Sequence, residues 1–228
     1  MGFDRRARLI VTIDGPAGAG KSSVAKAVAQ RLGLRYLDTG AMYRAVTWKA
    51  LDERVDLENE KYLRRIADTM RLELPENGRV IVDGRDVTRE IRTPAVTRET
   101  YHAAQSRLVR ERLWELQRAF GAQGCVAEGR DMGTVVFPNA DKKIYLDAAP
   151  EVRAQRRRKQ LAETQAAPPL DDVLNEVKER DRKDLTRDVA PLAKADDAEY
   201  VDTSDLTFDE VVDLIVKKVR EGGGPSNG

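Results

Sequence analysis

The sequence predicts an α/β fold in which a parallel sheet carries helices on both faces. Three observations predict it. Residues 9–13 (LIVTI) are apolar on both parities, as a strand buried on two faces must be. A glycine-rich turn and a helically spaced apolar series follow at once, which is the strand–loop–helix opening of an α/β unit. Strand-like segments then alternate with helical ones through the second half, and strands separated by helices pair in parallel.

Taken in order, Val24, Ala25, Val28, Ala29 and Leu32 place a helix over residues 21–31, and Gly33 ends it. Residues 35–37 form a short extended stretch, after which Asp38 or Thr39 caps a helix over 41–51. Residues 59–94 change character and read as a small β-rich insert in a larger α/β domain. Residues 71–74 alternate, Glu76-Asn77-Gly78 makes a hairpin turn of type I′, and RVIV at 79–82 is a second strand. Pro94 closes the insert, and one long helix over 96–120 is expected, with Leu108, Leu113, Trp114 and Leu116 on its apolar stripe. Strands are expected at 124–128, at 142–146 and around Tyr200-Val201. Helices are expected at 149–161, 170–187 and 207–219, with a loop at 165–169. The last helix turns Phe208, Val211, Val212, Leu214, Ile215 and Val219 inward, and the glycine-rich tail 222–228 has nothing to bury.

Charge excludes whole classes of partner. Forty basic residues against 39 acidic ones leave a net charge of +1, so there is no global field to steer nucleic acid or a membrane towards the chain. The single cysteine, Cys125, cannot form an internal disulfide, and no apolar run is long enough for a membrane span or a signal peptide. A cytoplasmic protein is expected, with small-molecule partners and neither nucleic acid nor membrane.

The chemistry begins at Gly15-Pro16-Ala17-Gly18-Ala19-Gly20-Lys21-Ser22, which fits G-x-x-x-x-G-K-S in full and lies between a strand and a helix. Small residues let successive backbone N–H groups curl around a phosphate, and the helix beginning there adds its positive end. Lys21 brings a charge to the outer phosphates, and Ser22 offers a hydroxyl to Mg²⁺, with Ser23 beside it. Asp14, at the end of the strand, has two readings: it holds a metal-bound water, or it caps a turn.

A second anion site is written in arginine. Arg44, Arg110, Arg130, Arg180 and Arg187 stand near element ends or in charged helical stretches. Arg180, Asp184 and Arg187 are spaced to share one helical face, where two guanidinium groups around a carboxylate suit a phosphate and a sugar hydroxyl; a solvated ion-pair face is the competing reading. Arg130-Asp131 follows a strand at the carboxyl edge of the sheet, where open α/β proteins bind ligands. Arg153, Arg156 and Arg157 lie together on a basic helix, with Arg158 farther round, and a proline-containing loop follows. That combination reads as a mobile lid, with an RNA-binding helix as the alternative. His102, the only histidine, is read as incidental, and Cys125 as a small core residue.

Six stretches together resemble the bacterial-type cytidylate kinases. They are VTIDGPAGAGKSS at 11–23, YLDTGAMYRAV at 36–46, DGRDVTREIRTPAV at 83–96, EGRDMGTVVFPNA at 128–140, KIYLDA at 143–148 and ERDRKDLTRDVAPL at 179–192. The resemblance implies a P-loop nucleoside-monophosphate kinase fold with a five-stranded parallel core. A core domain of residues 1–58 and 95–221 would contain a lid at about 150–187, and residues 59–94 would be the monophosphate-binding insert. It implies transfer of the γ-phosphoryl group of ATP to CMP or dCMP with Mg²⁺, by a monomer. Carried over by motif, Lys21, Arg153 and Arg157 are the catalytic cations, and Gly15 to Ser23 hold ATP. Ser22 and Asp14 would serve the metal. Thr39 and Arg44 lie near the acceptor, Arg110 and Asp131 read cytosine, Arg130, Arg180 and Arg187 grip its phosphate, and Asp184 binds the sugar. Where some members place a serine that touches the base, this chain has Tyr101 beside His102. A kinase for UMP, AMP or a hydroxyl compound is the alternative within the same class; the N-K-x-D of guanine-selective switches is absent.

Overall fold

The computed structural model describes residues 8–75, 78–162 and 166–222. Two compact units emerge, residues 1–36 with 123–228 and residues 37–122.

The first unit is built on strand β1 (Ile10–Asp14), helix α1 (Lys21–Leu32) and strand β2 (Arg35–Asp38). Its main sheet has the order β2-β6-β1-β7-β8, with β6 at Cys125–Gly129, β7 at Lys142–Asp147 and β8 at Glu199–Asp202. Strand β1 pairs in parallel with β6, Asp14 opposite Gly129, and with β7, Asp14 opposite Tyr145. The carboxyl ends of β1 and β6 therefore finish level, and β7 runs two residues farther, past the start of the glycine-rich turn.

The apolar run that identifies β1 has a physical cause. Val11 and Ile13 lie fully buried in a core with Val24, Ala25, Val28, Ile144, Leu146 and Val201. That core is closed by the last helix, Phe208–Gly222, through Val211, Val212, Ile215, Val216 and Val219. Each such side chain stabilises the fold by about 2 kcal/mol when removed from water. Phe208, expected inside, is half exposed: it opens the helix, ahead of the stripe that packs.

Residues 150–162 and 170–186 form two further helices, Pro150–Ala162 and Leu170–Thr186, which pack through Ala154, Val173 and Val177. Between β6 and β7 the chain makes a single π-helical turn at Met132–Val136 that periodicity did not indicate.

The second unit contains α2 (Thr39–Asp52), capped by the Asp38 side chain on the Ala41 N–H, and α3 (Glu60–Thr69), capped by Asn59. Strands β3 (Leu72–Glu73), β4 (Ile81–Val82) and β5 (Arg85–Asp86) make the small antiparallel sheet. The insert thus begins with a helix that the sequence reading missed. Part of the expected hairpin turn, residues 76 and 77, lies outside the described residues, as do 163–165 of the lid and 223–228 of the tail.

The long helix expected over 96–120 is two helices, α4 (Pro94–Gln105) and α5 (Arg107–Gly121). Ser106 takes an extended ψ of 117° and its side chain accepts the Val109 N–H, so it restarts the helix as an N-cap. Its hydroxyl also donates to Glu60 Oε2 at 2.8 Å. In order after β5, the helices Pro150–Ala162, Leu170–Thr186 and Phe208–Gly222 are named α6, α7 and α8. Among the described residues no helix is long and apolar enough to cross a membrane.

Candidate active site

The glycine-rich loop is held against β7 and α6. Gly15 has a φ of 148°, and a Cβ there would lie 1.9 Å from the Leu146 carbonyl oxygen, so no other residue fits. Gly18 and Gly20 also take positive φ, and Gly20 leads directly into α1. Ala17 and Ala19 are buried, whereas Ser22 and Ser23 are exposed. Lys21 is buried, and its Nζ donates to the Pro16 carbonyl at 2.7 Å. Burial, then the neighbouring Arg130 charge, brings its ammonium down to about 7, with Arg180 acting in the same sense and Glu128 and Asp184 opposing.

Ser22 Oγ donates to Glu128 Oε1 at 2.8 Å. Glu128 is a buried carboxylate at the end of β6, and the sequence reading passed over it. The available signal was its place in EGRD, at the carboxyl end of the strand paired with β1. A hydroxyl and a carboxylate side by side are hard oxygen donors that suit Mg²⁺, an ion that keeps most of its waters. Among the described residues no cluster of three or more His, Cys, Asp or Glu forms an all-protein cage.

Asp14 takes the turn-capping role of the two left open. Its Oδ1 accepts the Met132 N–H at 2.9 Å and its Oδ2 the Gly133 N–H at 2.7 Å. Burial raises its carboxyl to about 6 despite those two bonds. Each oxygen accepts one bond and keeps a second lone pair, so the two backbone bonds tie Asp14 to the turn and leave acceptor capacity on both oxygens.

The lid arginines separate. Arg153 is buried, and its guanidinium bonds to the Ala148 carbonyl at 2.9 Å, the Ala17 carbonyl at 3.0 Å and Asp181 Oδ2 at 2.6 Å. Asp181 Oδ1 in turn accepts the Ala17 N–H at 3.3 Å, so α7 is tied to the loop by a residue that the sequence reading did not single out. Arg156 instead bonds to Thr203, and Arg157 to Gln160 of its own helix. Shared helical spacing did not translate into one cluster because only Arg153 points down into the packed base of α6.

Arg130 Nε donates to Asp184 Oδ2 at 2.8 Å. Burial works to raise the Asp184 carboxyl, but Arg130, Arg180 and Arg187 together hold it below the usual range. Arg187 is the residue that ends α7, with extended backbone, so it leaves the helical face assigned to it. It still lies 3.6 Å from Asp184 Oδ1, while its Nε donates to the Ala190 carbonyl at 2.7 Å. The pair keeps its three-residue spacing at the end of α7, and the bond to Ala190 ties Arg187 to the segment that follows.

In the second unit, Thr39 is buried at the start of α2. Arg44 Nη2 reaches both oxygens of Asp38 at 3.2 Å, and Arg92 Nη2 reaches Oδ2 at 3.1 Å. Burial favours the neutral form of Asp38, but these two guanidinium groups and the Ala41 N–H hold its carboxyl below the ordinary range. Arg92 is a further residue that the sequence reading missed. Arg110 is almost wholly buried, donates to the Ala104 carbonyl at 2.9 Å, and sits over the rings of Tyr43 and Trp114 at 5.4 and 5.7 Å. Tyr101 is partly exposed and lies against His102, whose Nε2 is 3.4 Å from Glu99. Cys125 is buried, and burial raises its thiol to about 12, as befits an inert core residue.

A family described as cytidylate kinase matches residues 11–221. The cytidylate kinase of Pelotomaculum thermopropionicum (strain DSM 13744 / JCM 10971 / SI) is 49% identical over 217 residues, covering 93% of this chain and 96% of that protein. The cytidylate kinase of Thermodesulfovibrio yellowstonii (strain ATCC 51303 / DSM 11347 / YP87) is 44% identical over 219 residues, covering 93% and 98%. The crystal structure of an uncharacterized protein from Eubacterium ventriosum ATCC 27560 covers 93% of this chain and 98% of its own, at a TM-score of 0.52 and 12% identity, a likeness of fold alone. A match across almost all of the sequence, joined to near-half identity with relatives of the same length, places a phosphate loop and its arginines in a known setting: the chain belongs to the cytidylate kinase family.

Proposed function

We propose that this kinase transfers the γ-phosphoryl group of ATP to CMP or dCMP, giving ADP with CDP or dCDP, and that Mg²⁺ assists. One observation carries the reading: helix α7 joins the two anion sites, with Asp181 accepting the Ala17 N–H of the loop at 3.3 Å and Asp184 accepting from Arg130 Nε at 2.8 Å. Donor loop and acceptor arginines therefore share one neighbourhood within the first unit. Transfer between two phosphates needs no side-chain base, because the acceptor is already ionised; positioning and charge neutralisation suffice.

In this reading the backbone N–H groups from Gly15 to Ser23 cradle the ATP phosphates, and Lys21 and Arg153 face the charge in transit. Ser22 and Glu128 hold Mg²⁺, which when bound neutralises phosphate charge. Arg130, Arg180 and Arg187 take the acceptor phosphate, and Asp184 takes the sugar. Thr39, Arg44 and Arg92 serve the acceptor, and Arg110 and Asp131 each offer hydrogen bonds to its base. A base without the exocyclic amine would leave buried polar groups unpaired, a heavier penalty than lost apolar contact. One chain supplies every group, in keeping with a monomer, and a buried cysteine needing no oxidising compartment is in keeping with the cytoplasm.

The test is ADP release with CMP, dCMP, UMP, AMP and GMP as acceptors, beside a no-acceptor control. Turnover confined to CMP and dCMP, with a negligible rate to water, is expected. Equal rates with all acceptors, or an ATPase rate as high without acceptor, would overturn the assignment.

A further inference from the structure

Asp14 is the last residue of β1, and the next residue, Gly15, opens the phosphate loop. Gly15 packs so closely on β7 that a Cβ would lie 1.9 Å from the Leu146 carbonyl oxygen. On its other side Asp14 uses both carboxylate oxygens on consecutive backbone N–H groups, Met132 at 2.9 Å and Gly133 at 2.7 Å. Those two residues begin the π turn at Met132–Val136. The turn is wound on the Asp131 carbonyl, which accepts the Val135 and Val136 N–H groups, and is closed by Phe137 N–H to the Met132 carbonyl at 2.7 Å. Gly133 is packed so closely that a Cβ would lie 3.1 Å from Thr12 Oγ1, 3.2 Å from Lys143 Cδ and 3.3 Å from Asp14 Oδ2. The fit leaves little room for a side chain at Gly133, and Arg130-Asp131 lead straight into the turn.

We propose that Asp14 is a positioning residue for the acceptor, a carboxylate that pins the Met132–Val136 turn and thereby fixes where Arg130 and Asp131 stand relative to the phosphate loop. The role rests on the assignment of Arg130 and Asp131 to the acceptor made above. It differs from a metal role, and the two make different demands on kinetics. A group that orients the acceptor side changes KM for CMP. A group that holds a metal-bound water changes the Mg²⁺ requirement and kcat.

The deciding variant is Asp14→Asn, which keeps the shape but turns one N–H of the amide towards a backbone N–H. The KM for CMP is expected to rise about tenfold or more, since a buried donor loses its acceptor. The KM for ATP and the Mg²⁺ concentration for half-maximal rate should stay within about twofold of the parent enzyme. Gly133→Ala disturbs the same contact from the other side with Asp14 intact, and it should give the same split. It carries the test alone if thermal unfolding shows that Asp14→Asn does not fold. A raised Mg²⁺ requirement with unchanged KM for CMP would overturn the proposal, as would equal changes in both KM values. Asp131→Ala separates the two assignments. If it leaves KM for CMP unchanged, the acceptor assignment itself fails. If it raises KM for CMP while Asp14→Asn and Gly133→Ala do not, only the positioning role fails.

Discussion

Ser22 Oγ and Glu128 Oε1 meet at 2.8 Å, joining the first turn of α1 to the end of β6. A serine that opens a helix after a phosphate loop is common to many nucleotide-binding folds; a buried carboxylate bonded to it gives the pair a net charge to offer a cation. Glu128→Gln preserves volume and an acceptor for the hydroxyl but removes that charge. The Mg²⁺ concentration for half-maximal rate should rise about tenfold, while binding of metal-free ATP changes little. An unaltered Mg²⁺ titration would remove Glu128 from the metal site.

Lys21 gives a pH prediction with a definite sign. Its ammonium is lowered to about 7 from an ordinary 10.5, by burial first and Arg130 second. A polyphosphate pulls the value back up, so ATP binding at about pH 8 should take up a proton, and affinity should fall as pH rises through 7. Calorimetry in buffers of different ionisation enthalpy reads the uptake directly, and Lys21→Arg should abolish it. The same shift makes the unfolded chain bind more protons than the folded one between about 7 and 10.5, so this group's contribution to stability grows with pH across that window. Identical binding enthalpies in all buffers would refute the prediction.

Asp181 and Arg153 act as a unit at the loop. Asp181 accepts both the Ala17 N–H and the Arg153 guanidinium, and Arg153 also donates to the Ala17 carbonyl. Asp181→Asn and Arg153→Ala should each lower kcat/KM for ATP, and the double variant should lose clearly less than the product of the two losses. Multiplicative losses would mean that the residues work independently.

Ser106 should matter to stability rather than to chemistry. It is buried, caps α5 and bonds to Glu60. Ser106→Ala should cost about 1 kcal/mol, from the lost cap and the lost bond to Glu60, and lower the unfolding midpoint by about 2–4 °C in a chain of this size. An unchanged midpoint would show that the helix break is held by other contacts.

Much of this was legible along the chain because it depends on near neighbours. The strand 9–13, the phosphate loop and α1 follow from apolar spacing and a contiguous motif, and Asp38 announced the cap of α2 by its position. Helix α3 was legible, since Leu63, Ile66 and Ala67 stand at helical spacing after the Asn59 cap, but the strand signals that follow at 71–82 drew the whole segment into a β reading. The break at Ser106 was obscured because the same apolar period runs through both helices; a bond to Glu60, 46 residues away, helps decide it.

Chain order alone settled the class of fold and the donor loop, since both are local consequences of periodicity and of backbone that small residues can bend. Packing in three dimensions alone paired Glu128 with Ser22, Asp181 with Arg153 and Arg92 with Asp38, bonded Asp14 to the Met132–Val136 turn, and separated Arg153 from Arg157. Each of those outcomes is a hydrogen bond or ion pair reaching across the fold, and its partner is chosen by which strand ends and helices come to lie together, something residue spacing does not encode.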